Sequence, residues 1–226
     1  MTFDDVFNAF YRLYRAEAEV PASTDDEYTI AMELANEAIR RWARYDNTYW
    51  KELFTTLVDS GEGTTIVTDQ VDYECPDDFR EGGGSVRVID TDDTTLATYP
   101  IINPEDVQFR DTNSTYSFFF GNPSDGYTLR LNPAPTSTIN GKRVQYDYYK
   151  SPTEFTTGTD IAEIPQPDFI VHRVLANRLR ASRNPYYNSA LRDAEDVLKT
   201  MQLQNNSGTW ANPFKLQDRS GSVWGA

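Results

Sequence analysis

The chain has 226 residues, 38% of them apolar and 25% charged, with a single cysteine and a formal net charge of −14 at pH 7. That is enough chain for one large domain or two small ones around a sizeable core. The composition excludes a disulfide framework and a cysteine-based metal cluster, suits a reducing compartment, and contains no apolar run of about 18 residues that could cross a membrane.

The opening stretch, MTFDDVFNAF, is acidic and carries no basic segment, so no secretory signal is expected. Thr2 reads as a helix N-cap, and Asp4 and Asp5 suit the positive end of the helix dipole. Phe3, Val6, Phe7, Phe10, Leu13 and Tyr14 recur at three- and four-residue spacing, which predicts an amphipathic helix over 3–19. VPAST breaks it. A second helix is expected from about Thr24 to residue 45, with Ile30, Ala31, Leu34, Ala35, Ala38, Trp42 and Tyr45 on one face. After Asp46-Asn47, TYWKELFTTLVDSGEG (48–63) reads as a third helix, closed by Gly61.

From residue 63 to about 150 the character changes to short runs rich in β-branched and aromatic residues, separated by turn residues. TTIVTD, VDYECP, SVRVID, ATYPII, DVQFRD, TYSFFF, YTLRLNP and KRVQYDYYKS are expected strands. GNPSDG (121–126) is a turn, INGK (139–142) is a hairpin signal, and EGGGSVR (81–87) reads as a flexible turn. In RVQYDYY, Val144, Tyr146 and Tyr148 point one way and Arg143, Gln145 and Asp147 the other. Even spacing of many short strands predicts a small antiparallel sandwich or barrel. Helix returns after IPQPDF with Phe169, Ile170, Val174, Leu175 and Leu179. A last helix over 186–204 is ended by Asn205-Asn206-Ser207-Gly208.

The expected architecture is therefore α+β: about five helices in a bundle, an inserted antiparallel β-sandwich or barrel, and an extended C-terminal tail. The boundaries are 1–62 with 152–205 for the helical domain, 63–151 for the β domain and 206–226 for the arm. Charge is uneven. Residues 1–60 hold 6 basic and 12 acidic groups, 61–160 hold 7 and 17, and 161–226 hold 8 and 6. A protein that grips DNA neutralises phosphates with Lys and Arg, so this balance argues against gripping but not against letting DNA pass.

Residues capable of chemistry are sparse. His172, the only histidine, lies within a helix and reads as a packing residue. Asp77-Asp78, Asp92-Asp93 and Glu105-Asp106 read as solvated acidic loops, not as a glycosidase pair or a calcium loop. EGGGSVR lacks the Gly-Lys-Ser/Thr ending of a phosphate loop. Cys75 has no basic neighbour in sequence and reads as packed. No catalytic, metal or cofactor site is expected. Arg40, Arg41, Arg44, Arg173, Arg178, Arg180 and Arg183 are conspicuous on helices of an acidic protein. They read either as a face for an acidic partner, including the β block of a neighbouring copy, or as ordinary helix-surface charge.

The order of YECPDDFREGGGSVRV (73–88), YTLRLNPAPTST (127–138), VQYDYYKSPTEF (144–155), DIAEIPQPDFIVHRVLANRLRASRN (160–184) and SALRDAEDVLKTMQLQ (189–204) resembles the head-to-tail adaptor proteins of tailed bacteriophages, of the tail tubular A type. The resemblance spans about residues 3–205. It implies a non-enzymatic structural virion protein, made in the host cytoplasm, that forms a ring of commonly twelve copies under the portal. The helical part forms the ring and extends the DNA channel, which DNA crosses without specific binding. The β part hangs toward the next neck or tail protein. The C-terminal segment reaches the portal, and no membrane is involved.

That role gives the closing stretch TWANPFKLQDRSGSVWGA (209–226) a use. Aromatics in a Gly/Ser/Asn setting cannot build a core, but they can order on a partner. Trp210, Phe214 and Trp224 are the expected portal anchors, and Arg40, Arg41, Arg44, Arg173 and Arg180 the expected subunit contacts. The alternative for the arm is folding back onto its own helices. The alternative for the whole chain is a β-sandwich binding module for carbohydrate or protein, using Tyr116, Phe118, Phe119, Phe120, Tyr146, Tyr148 and Tyr149. A glycosidase with paired carboxylates is the third reading.

Overall fold

A computed structural model describes residues 1–16, 19–57, 65–111 and 113–207. Among the described residues the chain divides into two units: Met1–Leu53 with 152–207, and Phe54–Ser151. The first is helical and the second is built of antiparallel sheets, so the chain is α+β.

In the helical unit, α1 spans Phe3–Tyr14. Thr2 starts it with a capping box: the Asp5 amide donates to Thr2 Oγ1 at 3.2 Å, and the Thr2 amide donates to Asp5 Oδ2 at 3.1 Å. The first two helical amides have no partner within the helix. They donate instead to the carbonyls of Asp160 and Gly158, at 3.0 and 2.9 Å. The segment after Pro152 thus returns to cap the chain's own beginning. Asp160 holds that segment in shape. The Thr156 amide, the Thr157 hydroxyl and the Thr157 amide all donate to its carboxylate, which keeps its pKa well below the usual range.

Phe3, Val6, Phe7, Phe10 and Tyr11 form the buried face of α1. Each apolar side chain taken out of water stabilises the fold by roughly 1.5–3 kcal/mol. Helix α2 spans Asp26–Ala43 and presents Ala31, Ala35 and Ala38, small enough for close approach, with Ile39 and Trp42. Tyr28 stands edge-on to Phe3 and Phe7 and donates its hydroxyl to Asp4 Oδ1 at 2.6 Å. Asn36 both donates to the Phe155 carbonyl (2.9 Å) and accepts from the Phe155 amide (2.8 Å), pairing with the backbone as a strand would. Helices α3 (Asp168–Ala181) and α4 (Tyr187–Ser207) close the unit as a helical hairpin. Helix α4 runs through Asn205 and Asn206, past the stop expected there.

Over its described residues, 48–57, the third helix expected over 48–63 does not form. Asp46 and Asn47 take positive φ (48° and 49°) and turn the chain. Tyr45–Asn47 and Lys51–Leu53 are single 3₁₀ turns, and Phe54–Thr56 is a strand, β1. The helical spacing of Trp50 and Leu53 serves one 3₁₀ turn: both are buried, and Trp50 Nε1 donates to the Trp42 carbonyl at 2.8 Å. The pairing of Thr55 and Thr56 with Tyr148 and Asp147 outweighs helix propensity. Residues 58–63 of that expected helix lie outside the described residues.

The second unit adds β2 (Asp72–Glu74), β3 (Phe79–Ile89), β4 (Thr95–Pro100), β5 (Tyr116–Asn122), β6 (Gly126–Asn132) and β7 (Arg143–Lys150). They make a four-stranded sheet, β1-β7-β3-β4, and a three-stranded sheet, β2-β6-β5. The sheets do not close into a barrel. They share one core, with Val86, Val88, Tyr99, Val144, Tyr146 and Tyr148 from the first and Tyr73, Leu129 and Leu131 from the second. The period-two reading of β7 matches this burial.

Four local expectations are corrected. EGGGSVR lies inside β3, where the triple glycine accommodates a register shift between Gly83 and Arg87, with Gly84 at φ 79°. DVQFRD is a 3₁₀ turn over Pro104–Phe109, because Pro104 starts a turn and removes an amide a strand would need. TTIVTD contributes only an isolated bridge at Thr65 to Arg143 within the described residues. INGK is a crossing between sheets, since β6 belongs to one and β7 to the other. Ile66 pins this crossing by bonding Lys142 and Gly141 at 2.8 Å each.

Candidate functional site

The expected contact residues fall into different environments. On α2, Arg40 donates to Glu154 at 2.7 Å and Arg41 lies 3.9 Å from Glu195. Both pairs are close to half exposed, so each contributes only a few tenths to about 1 kcal/mol, and the arginines are not committed to their own chain. Arg173 on α3 is half-buried. Burial lowers its pKa, and the nearby Arg41 and Arg180 cations act the same way, against Glu37 and Glu195. Arg41, Arg173 and Arg180 thus form one cationic neighbourhood, interleaved with two carboxylates. Arg44, at the end of α2, and Arg180 stand exposed. Arg178 is different. It pairs with Glu27 and lies 5.9 Å over the Tyr14 ring, joining α1, α2 and α3. It is a packing residue of the helical unit.

Trp210, Phe214 and Trp224 lie outside the described residues. The base from which that arm departs is well defined. Asn205 donates to the Tyr49 carbonyl (2.9 Å) and accepts from the Lys51 amide (3.2 Å). Gln202 donates to Asp46 and Thr48, at 2.9 and 3.1 Å, and Gln166 donates to Gln204 at 2.9 Å. The Asn205 and Gln202 bonds clasp the last turns of α4 onto the 46–51 segment, and the Gln166 bond ties them to the turn before α3. The sequence offered no signal for the clasp, because asparagines at a helix end read as a terminator.

In the β unit, a groove of about 470 Å³ runs between Ile101–Pro104 and the Phe119–Gly121 edge of β5, over Phe79 and Gly82. Phe119 packs against the Gly82 backbone, 4.7 Å from the Phe79 ring and 5.2 Å from Tyr146. On the opposite face of β5, Arg130 lies 5.1 Å over Phe120 and bonds Asp72 through two contacts of 2.6 Å, which hold that carboxyl below its usual range. Of the strand aromatics, Tyr116, Tyr146, Tyr148 and Tyr149 are buried, and Phe120 alone is exposed. They pack the core.

Several of the residues considered for chemistry have structural roles. Burial pushes the Cys75 thiol up to about 11, so it stays protonated beside Tyr146. His172 is half-buried on α3, with Nδ1 shielded from solvent. Asp78 accepts from the Tyr148 hydroxyl, Asp92 from the Thr94 amide and Asp93 from Arg143. Among the described residues, no group of three or more His, Cys, Asp or Glu could hold a metal ion, and no helix is long and apolar enough to cross a membrane.

The arrangement is one of contact surfaces, and comparison with known families decides its meaning. The family model described as SU10 adaptor protein matches residues 1–215. The chain belongs to the SU10 adaptor protein family. No curated protein matches it. The adaptor is accordingly a structural protein of a bacteriophage virion, a class that is not enzymatic.

Proposed function

We propose that this adaptor forms a ring of about twelve copies beneath the portal, extends the DNA channel and joins the capsid to the tail. The family match over residues 1–215 carries this reading. In it, the helical domain (1–62 and 152–205) forms the ring, the β domain (63–151) faces the next neck or tail protein, and the arm (206–226) reaches the portal through Trp210, Phe214 and Trp224. Arg40, Arg41, Arg44, Arg173 and Arg180 make subunit contacts. The surface-exposed pairs Arg40–Glu154 and Arg41–Glu195 support this, since such pairs can exchange partners at little cost.

The net charge of −14 supports a lumen that repels DNA. Assembled rings are therefore expected to leave linear DNA unretained in a filter-binding assay at moderate salt. Retention that weakens steeply as salt rises would mean phosphate gripping and would contradict the channel reading.

A further inference from the structure

The β unit carries both a knob and a groove, and it keeps them apart. The knob is Phe109, the last residue of the 3₁₀ turn Pro104–Phe109, with 80% of its surface exposed. A single exposed apolar side chain is ordinary on a protein surface. This one is the most exposed large apolar side chain among the described residues, and its backbone is fixed. Pro104 sets the first turn. The Asp106 amide then donates to the Asn103 carbonyl at 2.9 Å, and the Arg110 amide to the Val107 carbonyl at 3.1 Å. A side chain presented from a fixed turn loses less freedom on docking than one on a loose loop.

The groove of about 470 Å³ belongs to the same unit and takes its apolar lining from Phe79, Ile101, Ile102, Phe119 and Tyr127. Its charged lining is one residue of each sign, Arg80 and Glu81, so net charge does not select what enters. Shape and an apolar side chain do. The loop that builds one wall at 101–104 carries Phe109 five residues further on, yet Phe109 is not part of the lining. A groove and a fitting knob on different patches of one surface suit two copies, one giving and one receiving. We propose that Phe109 of one copy seats in the groove of a second copy, between Ile102 and Phe119, so that β units contact one another directly. Each copy then gives one knob and receives one, the head-to-tail sense that closes a ring. That sense rests on the ring reading; the knob-and-groove contact does not.

Photocrosslinking reads the contact on the full-length free protein. p-Benzoylphenylalanine is placed at position 109, and these chains are mixed at high concentration with isotopically heavy wild type, illuminated and mapped by mass spectrometry. The crosslinks are expected to join a light chain to a heavy one and to land on 79–82, 101–104 or 119–121. Sedimentation velocity checks the same contact without a crosslinker: Phe109→Asp is expected to weaken self-association at least about 10-fold. Phe109 is exposed, so this variant keeps the fold. Crosslinks confined to one chain, or landing outside the groove, would overturn the proposal, as would equal association of wild type and Phe109→Asp. Portals that stay bare would instead overturn the ring reading and leave this contact standing.

Discussion

Replacing Trp210 and Trp224 together with alanine is expected to weaken binding to the cognate portal by on the order of a hundred-fold or more, with the melting temperature unchanged. An aromatic anchor that fills a pocket at an interface is worth about 2 kcal/mol or more on truncation. Two of them exceed two orders of magnitude in Kd. The melting temperature is expected to hold, because α1–α4 bring together a large core of their own: Phe3, Phe7, Phe10, Ile39, Trp42, Phe169, Ile170, Ala194 and Leu198 are all nearly inaccessible. The other use of these aromatics, folding back onto their own helices, predicts the reverse. Melting would then fall by several degrees, and portal binding would fall only through lost stability. Calorimetry and a portal-affinity titration on the same variant separate the two.

The second large effect belongs to Gly82. A Cβ built there would lie 2.2 Å from the Phe119 ring. The ring cannot move aside, since Phe79 and Tyr146 flank it at 4.7 and 5.2 Å. Overpacking of this kind costs roughly 1–3 kcal/mol. Gly82→Ala is thus expected to lower the melting of the β unit by on the order of 10 °C. Shortening the obstructing ring tests the cause. Gly82→Ala combined with Phe119→Leu should be less destabilised than the sum of the two single changes, the signature of direct contact in a double-mutant cycle. Strict additivity would place the cost of Gly82→Ala elsewhere in the backbone.

These two positions also show where sequence reading works and where it stops. Local grammar was legible. Thr2 and the first-turn aspartates mark the start of α1, and the aromatic spacing marks its buried face, because both depend on residues within one or two turns. The β7 alternation of Val144, Tyr146 and Tyr148 was legible for the same reason. Tertiary decisions were not. The triple glycine at 82–84 reads as a loop until it is known that Phe119, 37 positions later, needs the space above Gly82. Trp50 and Leu53 sit at helical spacing but serve a single 3₁₀ turn, after which the chain enters β1. At the contact surfaces, sequence picked out arginines by their scarcity in an acidic chain. It could not separate Arg178, bound to Glu27 beneath Tyr14, from the exposed Arg44 and Arg180. Nor could it find the Asn205 clasp, whose partners Tyr49 and Lys51 are more than 150 residues away.

The central claim is that this adaptor adds a ring to the portal, and co-sedimentation of the full-length protein with purified cognate portal, followed by negative-stain imaging of the pellet, tests it most directly. The account predicts portals that carry one further axial ring with a continuous central channel. Portals that sediment bare, with the adaptor left in the supernatant, would contradict it.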